Sequence, residues 1–228
     1  MKPLSPLDTG FLLAERRNQP MHVGGLILMT PPPGVEAAQF ARESAARALA
    51  HGKAIPPFNQ KLVTHNGVWF WNDDDTFDIE SHFTHVCLPR PGRIRELLVL
   101  ISKLHSTTMD RTKPLWEVYL IDGLDDGRVA VYVKIHHSMV DGMAAMKMVS
   151  QAMATEPGSK QVPMWALPLD KKQKRAAVKT TPMTTLMHNA GSMVGHAKSA
   201  PKVVAELLKS VRARRKDPDH VSVLQAPK

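Results

Sequence analysis

The stretch RVAVYVKIHHSMVDGMAAM, residues 128 to 146, holds the key to the fold. Its first half keeps the strand period of two, with Val129, Val131, Val133 and Ile135 on one face and Ala130, Tyr132, Lys134 and His136 on the other. Its second half opens a run with Met143, Met146, Val149 and Met153 at helical spacing. A strand therefore runs into a helix, and the turn between them carries His136, His137, Asp141 and Gly142. If the strand persists to its end, His137 shares the valine face and His136 points the opposite way. The two histidines then serve different purposes: one faces a side of the sheet, and the other is free to be held by backbone or a neighbouring carboxylate. Asp141 can cap the helix, pair with an arginine or orient a histidine, and Gly142 permits close approach or a positive φ.

Two chemistries and one plain structural role compete for this turn. A neutral imidazole can take a proton from a hydroxyl at neutral pH, which is general-base catalysis. A strand-end histidine followed by a capping aspartate is also an ordinary structural turn that needs no function, and spacing alone favours this plainer role. A metal site is disfavoured, because adjacent strand residues diverge and no nearby His-x-His or Glu-x-x-His adds ligands. Ser138 lacks the setting of a nucleophile elbow, and the chain has no glycine-rich phosphate loop.

Working outward, VYLIDGL and the strand at 128–136 are joined by Asp125-Asp126-Gly127 and read as a pair of strands. MHVGGLILMT, residues 21 to 30, reads as a buried strand ended by Pro31-Pro32-Pro33-Gly34, and residues 36 to 49 as a helix. KLVTH and VWFW flank Asn66-Gly67, the signature of a hairpin with a type I′ turn. HVCL is a short strand, and Ile94, Leu97, Leu98, Ile101 and Leu104 mark the apolar face of a second helix. This order predicts an α+β sandwich with a mixed, mostly antiparallel sheet covered by helices. Residues 1–154 form the expected body. Residues 155–182, rich in Pro, Lys and Thr, read as a linker or crossover, and 183–228 as a basic helical connecting segment kinked at Pro201.

The 228 residues are 43% hydrophobic, with no run near the roughly 20 apolar residues of a membrane-spanning helix. The N-terminal FLL is soon followed by charge, which argues against a signal peptide and for the cytoplasm. One cysteine, Cys87, rules out an intrachain disulfide framework and a cysteine-rich zinc site. The net charge of +9 is local: residues 170–216 hold twelve Lys and Arg against two acids, and the remainder is close to neutral. That segment suits an anionic lipid surface, at the inner membrane or on lipid inclusions, and equally a crossover packed on further protein. Nucleic acid is not expected as a partner, since the basic run has no aromatic residue.

HHSMVDG at 136–142 matches the HHxxxDG motif of CoA-dependent acyltransferases and peptide-synthetase condensation domains. PLSPLD (3–8), FLLAE (11–15), PMHVGGL (20–26), PFNQKL (57–62), PGRIRELL (91–98), MDRTKPLWEVYLIDGL (109–124) and KIHHSMVDGMAAM (134–146) narrow this. In that order they resemble the bacterial wax ester synthase/diacylglycerol acyltransferase family. The resemblance implies a chloramphenicol acetyltransferase-like half-domain. It also implies acyl transfer from acyl-CoA, as substrate and without a cofactor, to a long-chain fatty alcohol or diacylglycerol. His137 would be the general base, His136 and Asp141 would hold the loop, and Gly142 would leave room for substrate. Pro114-Leu115-Trp116-Glu117 would shape the core beneath the site. Family members have two similar halves, so the chain is expected to act with a C-terminal half. The other reading is a non-catalytic half-domain that binds a lipid surface or a partner.

Overall fold

The computed structural model describes residues 1–140, 142–153 and 162–167. Asp141, most of the expected linker and the whole basic segment at 183–228 lie outside the described residues. A two-residue strand, β1 (Lys2–Pro3), precedes helix α1 (Pro6–Ala14). This helix, absent from the pattern-based reading, starts with a capping box: Asp8 N–H donates to Ser5 Oγ at 3.1 Å, and Ser5 N–H donates to the Asp8 carboxylate at 3.3 Å. Pro6 follows in the first turn, where its missing N–H costs no hydrogen bond.

Next come β2 (His22–Met29), α2 (Ala37–Ala50) and the hairpin of β3 (Gln60–His65) and β4 (Val68–Asp73). Asn66 and Gly67 both take positive φ, as the type I′ turn requires. β5 (Phe83–Cys87), α3 (Ile94–Ser106), β6 (Trp116–Asp122), β7 (Val129–His136) and α4 (Gly142–Ala152) complete the order. The strands form two sheets. One is three-stranded in the order β1-β4-β3; the other is four-stranded in the order β2-β7-β6-β5, antiparallel except where β5 runs parallel to β6. The fold is thus α+β with a mixed, mostly antiparallel main sheet. No helix among the described residues is long and apolar enough to cross a membrane.

β7 has a neighbour on each side, and almost every residue in it is buried on both faces. The alternation of its sequence therefore separates an apolar buried face from a polar buried face, and the polar one needs partners. Lys134 meets that need by donating to the Leu104 and Thr107 carbonyls at 3.0 and 2.8 Å and to Glu117 at 3.0 Å. β2 differs from its reading as a buried strand: it is the edge of the sheet, with Leu26 and Leu28 exposed. Apolar composition alone does not distinguish an edge from a centre. Gly24 is required there, because a Cβ would stand 2.6 Å from the Tyr132 hydroxyl of the neighbouring strand.

Two packed clusters locate the rest. Leu97, with Leu100, Ile101 and Leu104, seats α3 on Leu88, Ile121, Leu124, Ala130 and Tyr132. The buried face of α3 differs from the one its apolar spacing predicts: Ile94 and Leu98 are exposed, and Leu100 packs inward. Leu12 of α1 packs with Trp71, Met109 and Leu115, and Met139, just past the histidines, lies against this second cluster. Within the 155–182 stretch, a turn at Met164–Ala166 buries Trp165, whose ring stacks on Trp116 at 5.4 Å.

The corrected α3 face is tested by two truncations. Leu97→Ala, at 0% exposure, is expected to cost about 2–5 kcal/mol. Leu98→Ala, at 52% exposure, should stay within about 0.5 kcal/mol of the parent. Urea unfolding measures both, and equal losses would contradict this packing.

Candidate active site

The end of β7 fixes the two histidines in opposite directions. His136 N–H donates to the Leu115 carbonyl beside β6 at 3.0 Å, whereas His137 N–H donates to the Met21 carbonyl beside β2 at 2.9 Å. Strand pairing thus runs one residue past β7, and the parity read from sequence holds. The side chain of His136 is buried, while His137 is half-buried and lays its ring on Phe11 of α1, centroids 4.8 Å apart and planes within 14°. Leu115, of the Pro-Leu-Trp-Glu block, is thus the lateral neighbour of this strand end, and its side chain belongs to the cluster against which Met139 lies.

His136 is enclosed by polar partners. Ser138 N–H donates to its Nδ1 at 3.1 Å, and Ser138 Oγ is 2.7 Å from the same atom, so the ring proton belongs on Nε2. Nε2 lies 3.3 Å from Glu15 Oε1, off the line of a good hydrogen bond. Burial pushes the His136 pKa down from 6.5 to about 4, and the opposing pull of the Glu15 carboxylate does not restore it. His136 is neutral at physiological pH, with both nitrogens turned into protein.

Glu15 is the carboxylate that the facing of His136 calls for. Burial on its own would raise its pKa, but Arg111, the Met21 N–H and the nearby His136 together hold it below the usual 4.5. Met21 N–H donates to Oε1 at 3.1 Å; Arg111 Nη2 donates to Oε2 at 2.9 Å and, at 2.7 Å, to the Leu12 carbonyl of α1. One ion pair therefore joins α1, the start of β2, the end of β7 and the segment before β6.

Of the residues singled out from sequence, His136 and His137 come together at the strand end and Gly142 opens α4. Asp141 lies outside the described residues. Phe11, Glu15, Arg111 and Ser138 escaped sequence reading as site residues, although FLLAE and MDRTKP contain three of them. Among the described residues no cluster of three or more His, Cys, Asp or Glu could hold a metal ion. Chemically, the arrangement offers one half-buried imidazole, His137, resting on an aromatic ring, beside a second imidazole committed to structure.

The model of the wax ester synthase/diacylglycerol acyltransferase catalytic domain matches residues 4–227. An O-acyltransferase WSD of Acinetobacter baylyi is 40% identical over 229 residues, covering 100% of this chain and 48% of that protein. A probable diacylglycerol O-acyltransferase of Mycobacterium tuberculosis is 38% identical over 214 residues, 91% of this chain and 46% of its own length. Among solved structures, the wax ester synthase/diacylglycerol acyltransferase of Marinobacter aquaeolei VT8 aligns with a TM-score of 0.71 and 44% identity, over 74% of this chain and 41% of that one. A starter condensation domain of rhizomide synthetase, at 14% identity and a TM-score of 0.51 over 66% of this chain and 34% of its own, shares the fold. The chain spans about half the length of the curated relatives it matches.

The depressed pKa of His136 sets a direction for acid sensitivity. Its stabilising contribution is complete above 6.5, its ordinary value, and is lost as pH falls toward about 4. The loss is on the order of 3 kcal/mol. His22 and His82, also lowered by burial, add to the same slope. Stability measured by urea unfolding from pH 7 to 4 should fall less steeply in His136→Gln than in the parent. An unchanged slope would contradict a buried neutral His136.

Proposed function

Because the chain belongs to the wax ester synthase/diacylglycerol acyltransferase family, we propose that it is one half of an enzyme that transfers a fatty acyl group from acyl-CoA to an alcohol. The acceptor is a long-chain fatty alcohol, giving a wax ester, or diacylglycerol, giving a triacylglycerol. The observation that carries this reading is the division between the histidines: His137 is half-buried against Phe11, and His136 is buried and neutral beside Glu15.

In the proposed reaction, a ring nitrogen of His137 takes the proton of the acceptor hydroxyl as its oxygen attacks the thioester carbonyl. A C–O bond forms and a tetrahedral oxyanion results. Collapse of this intermediate breaks the C–S bond, and the CoA thiolate leaves with the proton held by His137. His136 takes no part in proton transfer, because its nitrogens are engaged by Ser138 and face Glu15. Its work is to set the backbone from which His137 projects, a task assigned also to Asp141, while Gly142 gives the substrate room. Residues 1–154 act as the half-domain that carries the base. The second half of the family fold supplies the facing walls of the substrate channels, reached through residues 155–182 and 183–228. The enzyme works in the cytoplasm, and the basic residues of 170–216 draw it to anionic membrane or lipid-inclusion surfaces.

His137→Ala in a two-half protein should lower ester formation from palmitoyl-CoA and hexadecanol by about 10²- to 10⁴-fold, with folding retained. Undiminished transfer would reject His137 as the base and favour a non-catalytic half-domain. Co-sedimentation with anionic vesicles should weaken as salt rises and drop when residues 170–216 are removed. Equal binding with and without that segment would exclude it as the lipid contact.

A further inference from the structure

His22 opens β2 directly opposite His136 in the antiparallel register. Since the His136 N–H turns toward Leu115 on the other side, the pair is of the non-hydrogen-bonded kind, in which opposed side chains come closest. Both residues are buried. Their hydrogen bonds set complementary tautomers. His22 Nε2 is 2.6 Å from the His105 carbonyl, which can only accept, so Nε2 carries the proton and Nδ1 keeps its lone pair. His136 accepts the Ser138 N–H at Nδ1, so its proton is on Nε2. His22 Nδ1 and His136 Nε2 are both buried and have no hydrogen-bond partner among the described residues. One strand thus presents a buried acceptor and its neighbour a buried donor, with the Glu15 Oε1 acceptor 3.3 Å from that donor.

We infer that one buried water joins these three groups, accepting from His136 Nε2–H and donating to His22 Nδ1 and Glu15 Oε1, and that His22 is thereby a positioning residue for His137. Three polar partners are what a buried water ordinarily makes. His22 is itself well anchored. His105 holds it by its carbonyl and by an edge-on ring contact at 4.7 Å, and His105 Nδ1 is in turn 2.6 Å from the Tyr132 hydroxyl. Met21, the residue before His22, takes the His137 N–H and gives its own N–H to Glu15. Two consecutive residues of one chain therefore hold the two histidines, Met21 through the backbone and His22 through the side chain. The positioning role rests on the reading of His137 as the base; the water-linked pair does not.

Imidazole ¹⁵N NMR of the 228-residue chain tests this with two variants. His22→Gln keeps a donor that can reach the His105 carbonyl but has no acceptor at the Nδ1 position. His22→Asn keeps an acceptor near Nδ1 but is too short to reach that carbonyl. In the parent, His22 and His136 should both be Nε2–H tautomers. His22→Gln should speed exchange of the His136 Nε2–H by about tenfold, as loss of one buried hydrogen bond implies. It should also move the His137 ring protons out of the upfield position that stacking on Phe11 produces, whereas His22→Asn retains both signals. A His22→Gln spectrum like that of the parent, or a larger effect from His22→Asn, would overturn the inference. If either variant fails to fold, the parent tautomers decide, because an Nδ1–H on His22 or His136 excludes the bridge. None of these signals depends on acyl transfer, so a failed transfer assay would leave them intact and remove only the role given to His137.

Discussion

The carboxylate of Glu15 is the constraint on which the arrangement depends. Its side chain is 5% exposed, and a buried charge is tolerated only where its oxygens are fully engaged. Arg111 and the Met21 N–H provide that engagement, and His136 completes the surroundings. These partners come from three parts of the chain and Glu15 itself from the end of α1, so the charge is satisfied only when α1, the start of β2, the end of β7 and the segment before β6 are all in place. The site is therefore assembled by folding of the body as a whole. Phe11, on the helix that ends just before Glu15, then meets His137 as a consequence of the same anchor.

A second consequence follows from the central place of β7. With neighbours on both sides, the strand has no solvent face, and its polar residues must be served internally. Lys134 is served by the last turn of α3 and by Glu117; His136, two residues on, is served by Ser138 and faces Glu15. The strand period then turns His137 to the opposite face, where β2 takes its N–H and its ring remains half-buried. Adjacent histidines thus acquire unequal surroundings from geometry alone: one is desolvated and neutral, and the other keeps a half-buried ring against Phe11.

Much of this was readable because it is local. Asn66-Gly67 dictated its turn, the alternation along β7 separated the histidines, and the blocks around HHSMVDG carried the family resemblance. What escaped was long-range or ambiguous. Glu15 and Arg111 are 96 residues apart, and no periodicity links them. α1 is short and apolar on most sides, and the Ser5–Asp8 cap was its clearest signal. β2 read as buried because composition reports apolarity and not the presence of a neighbour. In α3, leucines and isoleucines lie on several sides, so Leu98 fitted the pattern as well as Leu100 did, and only the packing partners chose between them.

Glu15 and Arg111 act as one unit in holding the histidines. A double-mutant cycle on folding stability, Glu15→Gln with Arg111→Met, measures this most directly. The two losses should be non-additive by at least about 1 kcal/mol, because Arg111→Met strands a buried carboxylate only while Glu15 carries one. Losses that add to within about 0.5 kcal/mol would show that the two residues act independently, and would contradict it.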